Sequence, residues 1–315
     1  MSLKLSVIVP YHNSEDTLER TLLSLNGQKC EPLEIILVND GSTDSSHSVI
    51  EKFISNNKGA HEFKDINYQF QRGASEAFNI GLKNCNGDFV CKCDSDDTVE
   101  PDYYARMLAV AVRSNADVVS SPIAVHSSKK THIIKPHHGN NLNDMAVNTA
   151  NFSLCNRIIR REILTSNSIE AYSHIDRWDD LGVVSRVFAL KPKCAYLDFP
   201  GYNYYLTPGV TSLSRSSCTK LLRDHMLCAL LVEKWLTERG MKTEYAEFIH
   251  HLKFISKVKM LRCAPRDVKR WKATFAETNY GIMHLRHLSL PYRVLFTLIT
   301  KLPTGVSQWV ADKID

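Results

Sequence analysis

The sequence lacks the cysteine spacing of a zinc site or of a disulfide scaffold. Its 315 residues contain nine cysteines but no Cys-x-x-Cys pair, and Cys91, Cys93, Cys155 and Cys194 all lie within apolar runs. Scattered cysteines inside apolar runs are typical of reduced thiols in an intracellular protein. The cysteine pattern therefore predicts a cytoplasmic protein whose thiols pack in the core.

Long apolar runs are also missing. No stretch reaches the roughly 18 apolar residues that a membrane span needs. The N-terminus enters the apolar segment 3–9 without the basic region or cleavage site of a signal peptide. We therefore expect a protein with no secretion signal and no transmembrane helix.

Two glycine-rich phosphate-binding motifs are absent as well. No GxGxxG follows the first predicted strand, and no Gly-Lys-Ser/Thr motif of a P-loop occurs. Neither a dinucleotide cofactor nor a P-loop nucleotide is indicated. A nucleotide held by an aromatic ring, carboxylates and a metal is still open.

The excess of positive over negative charge is confined to the last third of the chain. Residues 216–315 hold 17 Lys+Arg against 9 Asp+Glu, which leaves 22 against 25 for residues 1–215. This basic region could meet anionic lipid, an anionic acceptor or only solvent, so peripheral contact with the inner face of a membrane is one expectation. Charge alone gives no ground for nucleic-acid binding.

In the first hundred residues, apolar β-branched runs alternate with helical patterns. The predicted strands are 5–9, 33–38, 66–70 and 89–93. Helices are expected from a Ser14 cap, after Asp44, and over 74–82. Such alternation predicts an α/β fold with a mostly parallel sheet, whose ligand-binding groups lie at the carboxyl ends of the strands.

Polar side chains follow each of these strands. They are Pro10-Tyr11, Asn39-Asp40, Arg72 and the acidic run Asp94-Ser95-Asp96-Asp97. Carboxylates so close together raise one another's pKa unless a cation joins them, and carboxylate oxygens suit Mg²⁺ or Mn²⁺. An acidic turn that caps the next helix is the alternative interpretation of the run.

Three motifs in order resemble those of family 2 glycosyltransferases. They are Val7-Ile8-Val9-Pro10-Tyr11-His12-Asn13-Ser14-Glu15, Glu34–Asp44 with its Asn39-Asp40-Gly41-Ser42, and Gly87-Asp88-Phe89 leading into Asp94–Asp97. The resemblance covers roughly residues 3–214. It implies the GT-A fold, a nucleotide-sugar donor, a divalent metal (Mn²⁺ or Mg²⁺) at the diphosphate, and inversion at the anomeric carbon.

The resemblance also implies roles for individual residues on the donor side. Pro10, Tyr11 and Glu15 match the nucleoside pocket, with Tyr11 able to stack on a base, and Asp40 matches the carboxylate that reads uracil in UDP. Asp94 and Ser95 would bind the nucleotide sugar, with Asp94 at the ribose or the metal, and Asp96 would bind the metal. Asp97 is expected to cap the segment before Pro101.

Two positions depart from the family pattern. Ala77-Phe78-Asn79 stands where the family commonly has Ala-Arg-Asn, so the usual arginine is missing and Arg72 is the nearest candidate to replace it. Lys92 occupies a strand position that is often apolar in the family. It either pairs with an aspartate or extends its ammonium group to the edge of the sheet.

The second half of the chain carries one further acidic motif, Trp178-Asp179-Asp180-Leu181. The resemblance makes Asp180 the general base that deprotonates the acceptor hydroxyl, with Asp179 as the fallback; a helix N-cap is the alternative. A strand at 117–121 and a hairpin at 123–134 are expected before it. His137 and His138 could bind metal, but an exposed loop on the acceptor side is favoured.

The remaining patterns set the expected domain boundaries. Tyr202–Tyr205 and Thr211–Ser214 resemble the closing strand and serine-rich loop of the family, so residues 1–215 are expected to form the GT-A domain, with a donor half (about 1–122) and an acceptor half (about 123–215). Residues 216–315 form a helical extension. In its first helix, Leu221, Leu222, Met226, Leu227, Leu230 and Leu231 give an apolar stripe.

Together these features predict an inverting glycosyltransferase. The expected donor is a nucleotide sugar, UDP-linked, and the expected acceptor is a glycan or lipid-linked glycan of a bacterial surface polysaccharide. A catalytically inactive GT-A-like module that binds nucleotides or glycans is the alternative, and the altered Ala77-Phe78-Asn79 segment is its main support.

Overall fold

The computed structural model describes residues 3–30, 32–57, 59–136, 141–146, 152–206, 218–261, 266–285 and 288–313. The chain divides into two compact units. The first comprises residues 1–140 and 150–211, and the second comprises 141–149 and 212–315. The short segment 141–149 thus groups with the C-terminal helices.

A seven-stranded sheet forms the centre of the first unit. Its strands are β1 (Leu5–Tyr11), β2 (Glu34–Asp40), β3 (Glu62–Tyr68), β4 (Phe89–Lys92), β6 (Val118–Ser120), β9 (Arg157–Arg160) and β10 (Cys194–Tyr196). The order is β10-β6-β9-β4-β1-β2-β3, and only β9 runs antiparallel to its neighbours. The parallel strands β1 to β4 therefore end at one edge of the sheet.

Helices flank this sheet. They are α1 (Leu18–Asn26), α2 (Ser46–Asn56), α3 (Ala74–Lys83), α4 (Tyr103–Ser114), α6 (Arg161–Ser166) and α7 (Asp179–Ala189). Strands β1 and β2 are buried almost throughout, which explains why they appear in the sequence as continuous apolar runs rather than as alternating patterns. A second sheet of four strands has the order β5 (Thr98–Val99), β11 (Tyr202–Leu206), β7 (Ile123–Ser127) and β8 (Thr131–Ile134).

The second unit is helical in its described residues. It contains α5 (Leu142–Met145), α8 (Cys218–Glu238), α9 (Ala246–Val258), α10 (Val268–Ala273), α11 (Leu290–Lys301) and α12 (Thr304–Ala311). Its core is aromatic, since Trp271 and Phe296 stack at 6.3 Å between ring centroids and Phe254 meets both edge-on. No helix in the described ranges is both long and apolar enough to span a bilayer.

The predicted α/β fold, its mostly parallel sheet and the helical C-terminal region are confirmed. The hairpin at 123–134 is confirmed as β7 and β8. The third strand ends two residues earlier than predicted, so Phe70 lies outside it and is 78% exposed. The predicted Ser14 side-chain cap is wrong, because α1 begins at Leu18 and the Ser14 carbonyl accepts the N–H groups of Thr17 and Leu18 instead.

Two further expectations are corrected in the second unit. The stripe predicted on α8 is not its buried face, because Leu227 and Leu230 are exposed while Asp224, His225, Cys228, Val232 and Leu236 are buried. The expectation of reduced thiols holds for seven cysteines of the described chain and is wrong for Cys218, which is disulfide-bonded.

Candidate active site

Asp40 lies at the end of β2 and binds the loop that follows β3. Its carboxylate oxygens accept the backbone N–H groups of Arg72 at 2.6 Å and of Gly73 at 3.0 and 3.1 Å. Burial raises the pKa of Asp40 even though these two hydrogen bonds oppose the shift. Asp40 thus connects the end of β2 with the loop that follows β3. Its contact with the nucleobase of the donor stays a prediction.

Gly41 allows these two loops to approach each other. Its φ is +68°, and a Cβ built on it would lie 2.5 Å from the backbone nitrogen of Gln71. Any other residue would have to displace the backbone of the neighbouring loop. Arg72 is exposed in that loop, and its guanidinium lies 4.6 Å from the centroid of the Tyr68 ring.

Tyr11 lies deeper than a stacking platform at the surface would. Its side chain is 2% exposed, and its hydroxyl donates to Asp65 at 3.0 Å. Burial, reinforced by Asp65, raises the pKa of Tyr11. Glu15 accepts the N–H of Ser45 at 2.9 Å and so holds the loop after β2. Pro10 is half-buried in β1.

The acidic loop Asp94–Asp97 is held by α1 from one side. Thr17 and Thr21 both donate to the carbonyl of Ser95 at 3.0 Å, and Thr21 also donates to the carbonyl of Asp97 at 2.8 Å. The Ser95 hydroxyl lies 2.9 Å from that of Ser14. The backbone of the loop is therefore fixed by hydroxyl groups, and the carboxylates of Asp94 and Asp96 are not used to hold it.

The three carboxylates of this loop have different surroundings. Asp97 is fully buried, and its oxygens accept the Tyr202 hydroxyl at 2.7 Å and the Tyr205 N–H at 3.0 Å. The expected cap before Pro101 is thus wrong, because Asp97 anchors the loop to β11. Burial and then repulsion from Asp94 raise the pKa of Asp96 to about 6. A cation beside Asp94 and Asp96 would relieve this repulsion.

Asp94 and Asp96 fit a divalent metal of the kind that also binds phosphate. In the described residues, no group of three or more His, Cys, Asp or Glu side chains is placed to hold a metal. Mg²⁺ and Mn²⁺ need fewer protein ligands, since one or two carboxylates suffice when waters and substrate phosphates complete the shell. The Asp96 carboxylate makes no ion pair in the part of the chain that the structure describes.

Asp179 and Asp180 form the first turn of α7, after Trp178 with its left-handed backbone (φ 64°). One oxygen of Asp180 accepts the N–H of Leu154 at 2.9 Å. Burial raises the pKa of Asp179 to about 7, although the charge of Lys92 opposes the shift. The N-cap residue of α7 is Trp178 and neither aspartate. The alternative interpretation of Asp180 as a helix N-cap is therefore wrong.

Lys92 connects the two acidic motifs. Its ammonium nitrogen lies 3.2 Å from Asp94 Oδ1, 3.5 Å from Asp179 Oδ2 and 3.3 Å from Asp180 Oδ1. The side chain is only 9% exposed. Burial lowers the pKa of Lys92, but attraction by the three aspartates outweighs it and the pKa lies well above its usual value. The predicted pairing with an aspartate is confirmed, whereas contact with both motifs was not predicted.

Asn79 makes a second connection that the sequence did not reveal. Its side-chain amide donates to the carbonyl of Ala171 at 2.9 Å and accepts the N–H of Ala171 at 2.7 Å. Phe78, at the position of the usual arginine, is 2% exposed. The segment that leads to Asp179 is therefore fastened to α3, beside the donor-side loops.

Two predicted regions fall outside the described residues. They are the loop with His137 and His138, and the serine-rich segment Thr211–Ser214.

Comparison with known proteins assigns the chain to a family. The profile described as glycosyl transferase family 2 matches residues 6–167, which is half of the chain and includes the strand-end motifs and the acidic loop. The chain belongs to glycosyltransferase family 2. This membership confirms the family that the resemblance of its motifs predicts.

One curated relative within family 2 is glycosyltransferase GlyA of Streptococcus pneumoniae. It is 28% identical over 241 residues, which cover 74% of this chain and 32% of that protein. The matched part thus spans about a third of the length of GlyA.

Solved structures share the fold. S. aureus TarS 1–349 in complex with UDP-GlcNAc superposes with a TM-score of 0.74 at 20% identity, covering 98% of this chain and 91% of that one. The Pyrobaculum calidifontis mannosyltransferase PcManGT, in complex with GDP-Man and Mn²⁺, gives a TM-score of 0.55 at 16% identity, over 99% and 86% of the two chains. These similarities concern the fold alone and cover almost the whole chain.

Proposed function

We propose that this chain transfers a sugar from a UDP-linked donor, with inversion, to a hydroxyl of a glycan or lipid-linked glycan acceptor. We assign it to the synthesis of a bacterial surface polysaccharide. The observation that carries the proposal is the approach of the two acidic motifs, since oxygens of Asp94 and of Asp180 both lie within 3.3 Å of one nitrogen atom. Transfer requires that the donor and the acceptor base lie in one site.

In this proposal Asp180 is the general base, and Asp179 is the alternative candidate for that role. The acceptor oxygen forms a bond to the anomeric carbon while the bond from that carbon to the diphosphate oxygen breaks. The acceptor proton passes to a carboxylate oxygen of Asp180, and the bonding electrons leave with the diphosphate. Attack on the face opposite the diphosphate gives inversion.

On the donor side, Asp96 and Asp94 would hold the divalent metal, which when bound stabilises negative charge on the departing diphosphate. Asp40, Tyr11, Pro10 and Glu15 shape the nucleoside end of the site through the loops described above. Arg72 is assigned to the base or diphosphate in place of the missing arginine. The UDP complex of TarS supports the choice of uridine, and the Mn²⁺ complex of the mannosyltransferase supports the metal.

We further propose that the second unit contacts an anionic membrane surface. Of the 15 large apolar side chains that are exposed among the described residues, eight lie between residues 280 and 309. On α11, Leu290, Val294 and Leu298 recur at helical spacing and are 42–56% exposed, while Trp309 on α12 is 65% exposed. Residues 266–313 carry eight Lys+Arg against three Asp+Glu, which complements anionic lipid.

The transfer proposal is tested with a panel of UDP-, GDP- and TDP-sugars, with Mn²⁺ and oligosaccharide or lipid-linked acceptors. Release of nucleoside diphosphate is measured, and UDP-sugars are expected to give it. The absence of release from every donor and acceptor pair would contradict the proposal. Calorimetry with UDP distinguishes the enzyme from the inactive module. A UDP affinity that does not change when metal is added would favour the inactive module.

A further inference from the structure

Lys92 is the one cation that contacts both acidic motifs in the described residues. It ends β4, where its neighbours in the strand, Phe89, Val90 and Cys91, are buried apolar residues. An ammonium group loses much hydration at such a position and is stable there only because carboxylates surround it. The contacts of Lys92 with three aspartates are therefore a specific feature of the fold and not chance contacts of an exposed side chain.

The ammonium of Lys92 competes with a metal for Asp94. Asp94 Oδ1 lies 3.2 Å from the nitrogen, so this oxygen is already engaged. A metal held by Asp94 would bring a second cation close to this ammonium in a partly buried site. Arg20 is also close to the acidic loop but does not take this role, because it donates to the backbone carbonyl of Asp96 and stacks on Tyr205.

We propose that Lys92 makes tight metal binding depend on the nucleotide. Without the nucleotide, the Lys92 ammonium engages Asp94 and repels a second cation. The diphosphate adds negative charge and oxygen ligands, and these offset the repulsion. Because the same ammonium contacts Asp179 and Asp180, Lys92 is also a positioning residue that sets the distance between the metal carboxylate and the proposed base. The inference rests on the proposed function of this site.

The test is a Mn²⁺ titration of the intact protein, with free Mn²⁺ measured by electron paramagnetic resonance, in the absence and presence of UDP. Four proteins are compared: wild type, Lys92→Gln, Lys92→Arg and Lys83→Gln. Lys83 is a matched control because it forms an exposed pair with Glu170 at 3.5 Å, outside the site. Thermal unfolding of each variant establishes that it is folded.

Without UDP, Lys92→Gln is expected to bind Mn²⁺ about tenfold more tightly than wild type, because one repulsive charge and one competitor for Asp94 are gone. The factor by which UDP strengthens Mn²⁺ binding falls accordingly, and the reciprocal effect of Mn²⁺ on UDP falls by the same factor. Lys92→Arg and Lys83→Gln keep the wild-type behaviour. Damage to the fold would lower the affinity for Mn²⁺, so it cannot explain a gain.

Equal Mn²⁺ affinity of folded Lys92→Gln and wild type would overturn the inference, and so would the absence of Mn²⁺ binding in all four proteins with UDP. If Lys92→Gln does not fold, Lys92→Met, which also removes the charge, is measured in its place; tighter Mn²⁺ binding without UDP supports the inference and an affinity equal to wild type contradicts it. Wild-type turnover of nucleotide sugar is measured in parallel. Turnover without the metal effect contradicts only the role of Lys92, whereas no turnover contradicts the proposed function.

Discussion

Asp179 and Asp180 are adjacent in sequence but differ in their contacts. Asp180 receives a donor on each oxygen, Lys92 on Oδ1 and the Leu154 N–H on Oδ2. Asp179 is the more enclosed of the two, with its side chain 15% exposed against 23% for Asp180. The more accessible carboxylate, that of Asp180, is the better candidate to meet an acceptor hydroxyl.

Asp180→Asn is expected to lower kcat by about 10²-fold or more, because the amide cannot take the acceptor proton. UDP affinity should stay within about twofold, since Asp180 is assigned no contact with the nucleotide. Steady-state kinetics and calorimetry measure the two quantities. Asp179→Asn serves as the neighbouring comparison, and a larger loss of kcat there would transfer the base role to Asp179.

Glu34 is a buried carboxylate outside the site. It accepts hydrogen bonds from Ser6, from Lys64, and from the backbone and side chain of Asn86. Burial alone raises the pKa of Glu34, but these hydrogen bonds outweigh it and bring the pKa to about 2. Because the folded pKa lies below the unfolded one, the charged form stabilises the fold above about pH 4.5.

Glu34→Gln is expected to lower the free energy of unfolding by on the order of 2 kcal/mol at pH 7. The difference from wild type should shrink as pH falls from about 4.5 towards 2, where the wild-type carboxyl takes up its proton. Urea titrations at a series of pH values measure it. Glu62→Gln, at a side chain 53% exposed, should change stability by less than about 0.5 kcal/mol.

Among the elements, α3 has a role that its amphipathic pattern does not reveal. Asn79 points from its buried face to Ala171, whose backbone N–H and carbonyl it pairs. A Cβ on Gly73, just before α3, would lie 2.4 Å from an Asp176 oxygen. The segment 171–176 is therefore packed against the start and the middle of α3, and through it the first turn of α7 is positioned.

Asn79→Ala is expected to leave the Ala171 N–H and carbonyl unpaired, which costs about 1 to 3 kcal/mol of stability. It should also lower kcat more than it changes UDP affinity, because the affected segment leads to Asp180. Thermal unfolding, kinetics and hydrogen exchange of residues 171–178 measure these effects. Asn84→Ala is the matched control, since Asn84 lies just past the end of α3 and its amide bonds only the local Ile80 carbonyl; equal effects of both changes would contradict the role of Asn79.

The strands of the first unit could be predicted because their signal is local. Runs such as 5–9 and 33–38 are apolar and β-branched over their whole length, and order along the chain then brings their ends to one edge. Local signals could not give the partners of Lys92, which are 87 and 88 residues away at Asp179 and Asp180, nor the Asn79 contact across 92 residues. Those contacts depend on the tertiary fold, which brings segments distant in sequence next to each other.

The error on α8 has a related cause. Six leucine and methionine side chains at helical spacing mark an apolar face, but which face is covered depends on the neighbouring elements. The helix instead buries a face that contains Asp224 and His225. Periodicity established that the helix exists and could not establish which way it faces.

For the whole molecule, the exposed apolar side chains of α11 and α12 predict membrane binding. Trp309→Ser combined with Leu298→Ser should reduce co-sedimentation with vesicles of 30% phosphatidylserine by about tenfold or more, because apolar burial drives interfacial binding. Val112→Ser changes an equally exposed side chain on α4, 61% exposed, and should have no effect. Equal binding of all three proteins would contradict the assignment of this surface.

Segment 141–149 makes the helical unit discontinuous in sequence. Leu142 and Met145 are buried, and Asn143 accepts the Phe248 N–H and donates to the Glu244 carbonyl within that unit. A stop codon after residue 215 would therefore remove the partners of α5 and leave two apolar side chains uncovered in the shortened protein. The C-terminal helices cannot be exchanged between relatives as a simple tail, because a recipient would also need the matching nine-residue segment inside its own catalytic domain.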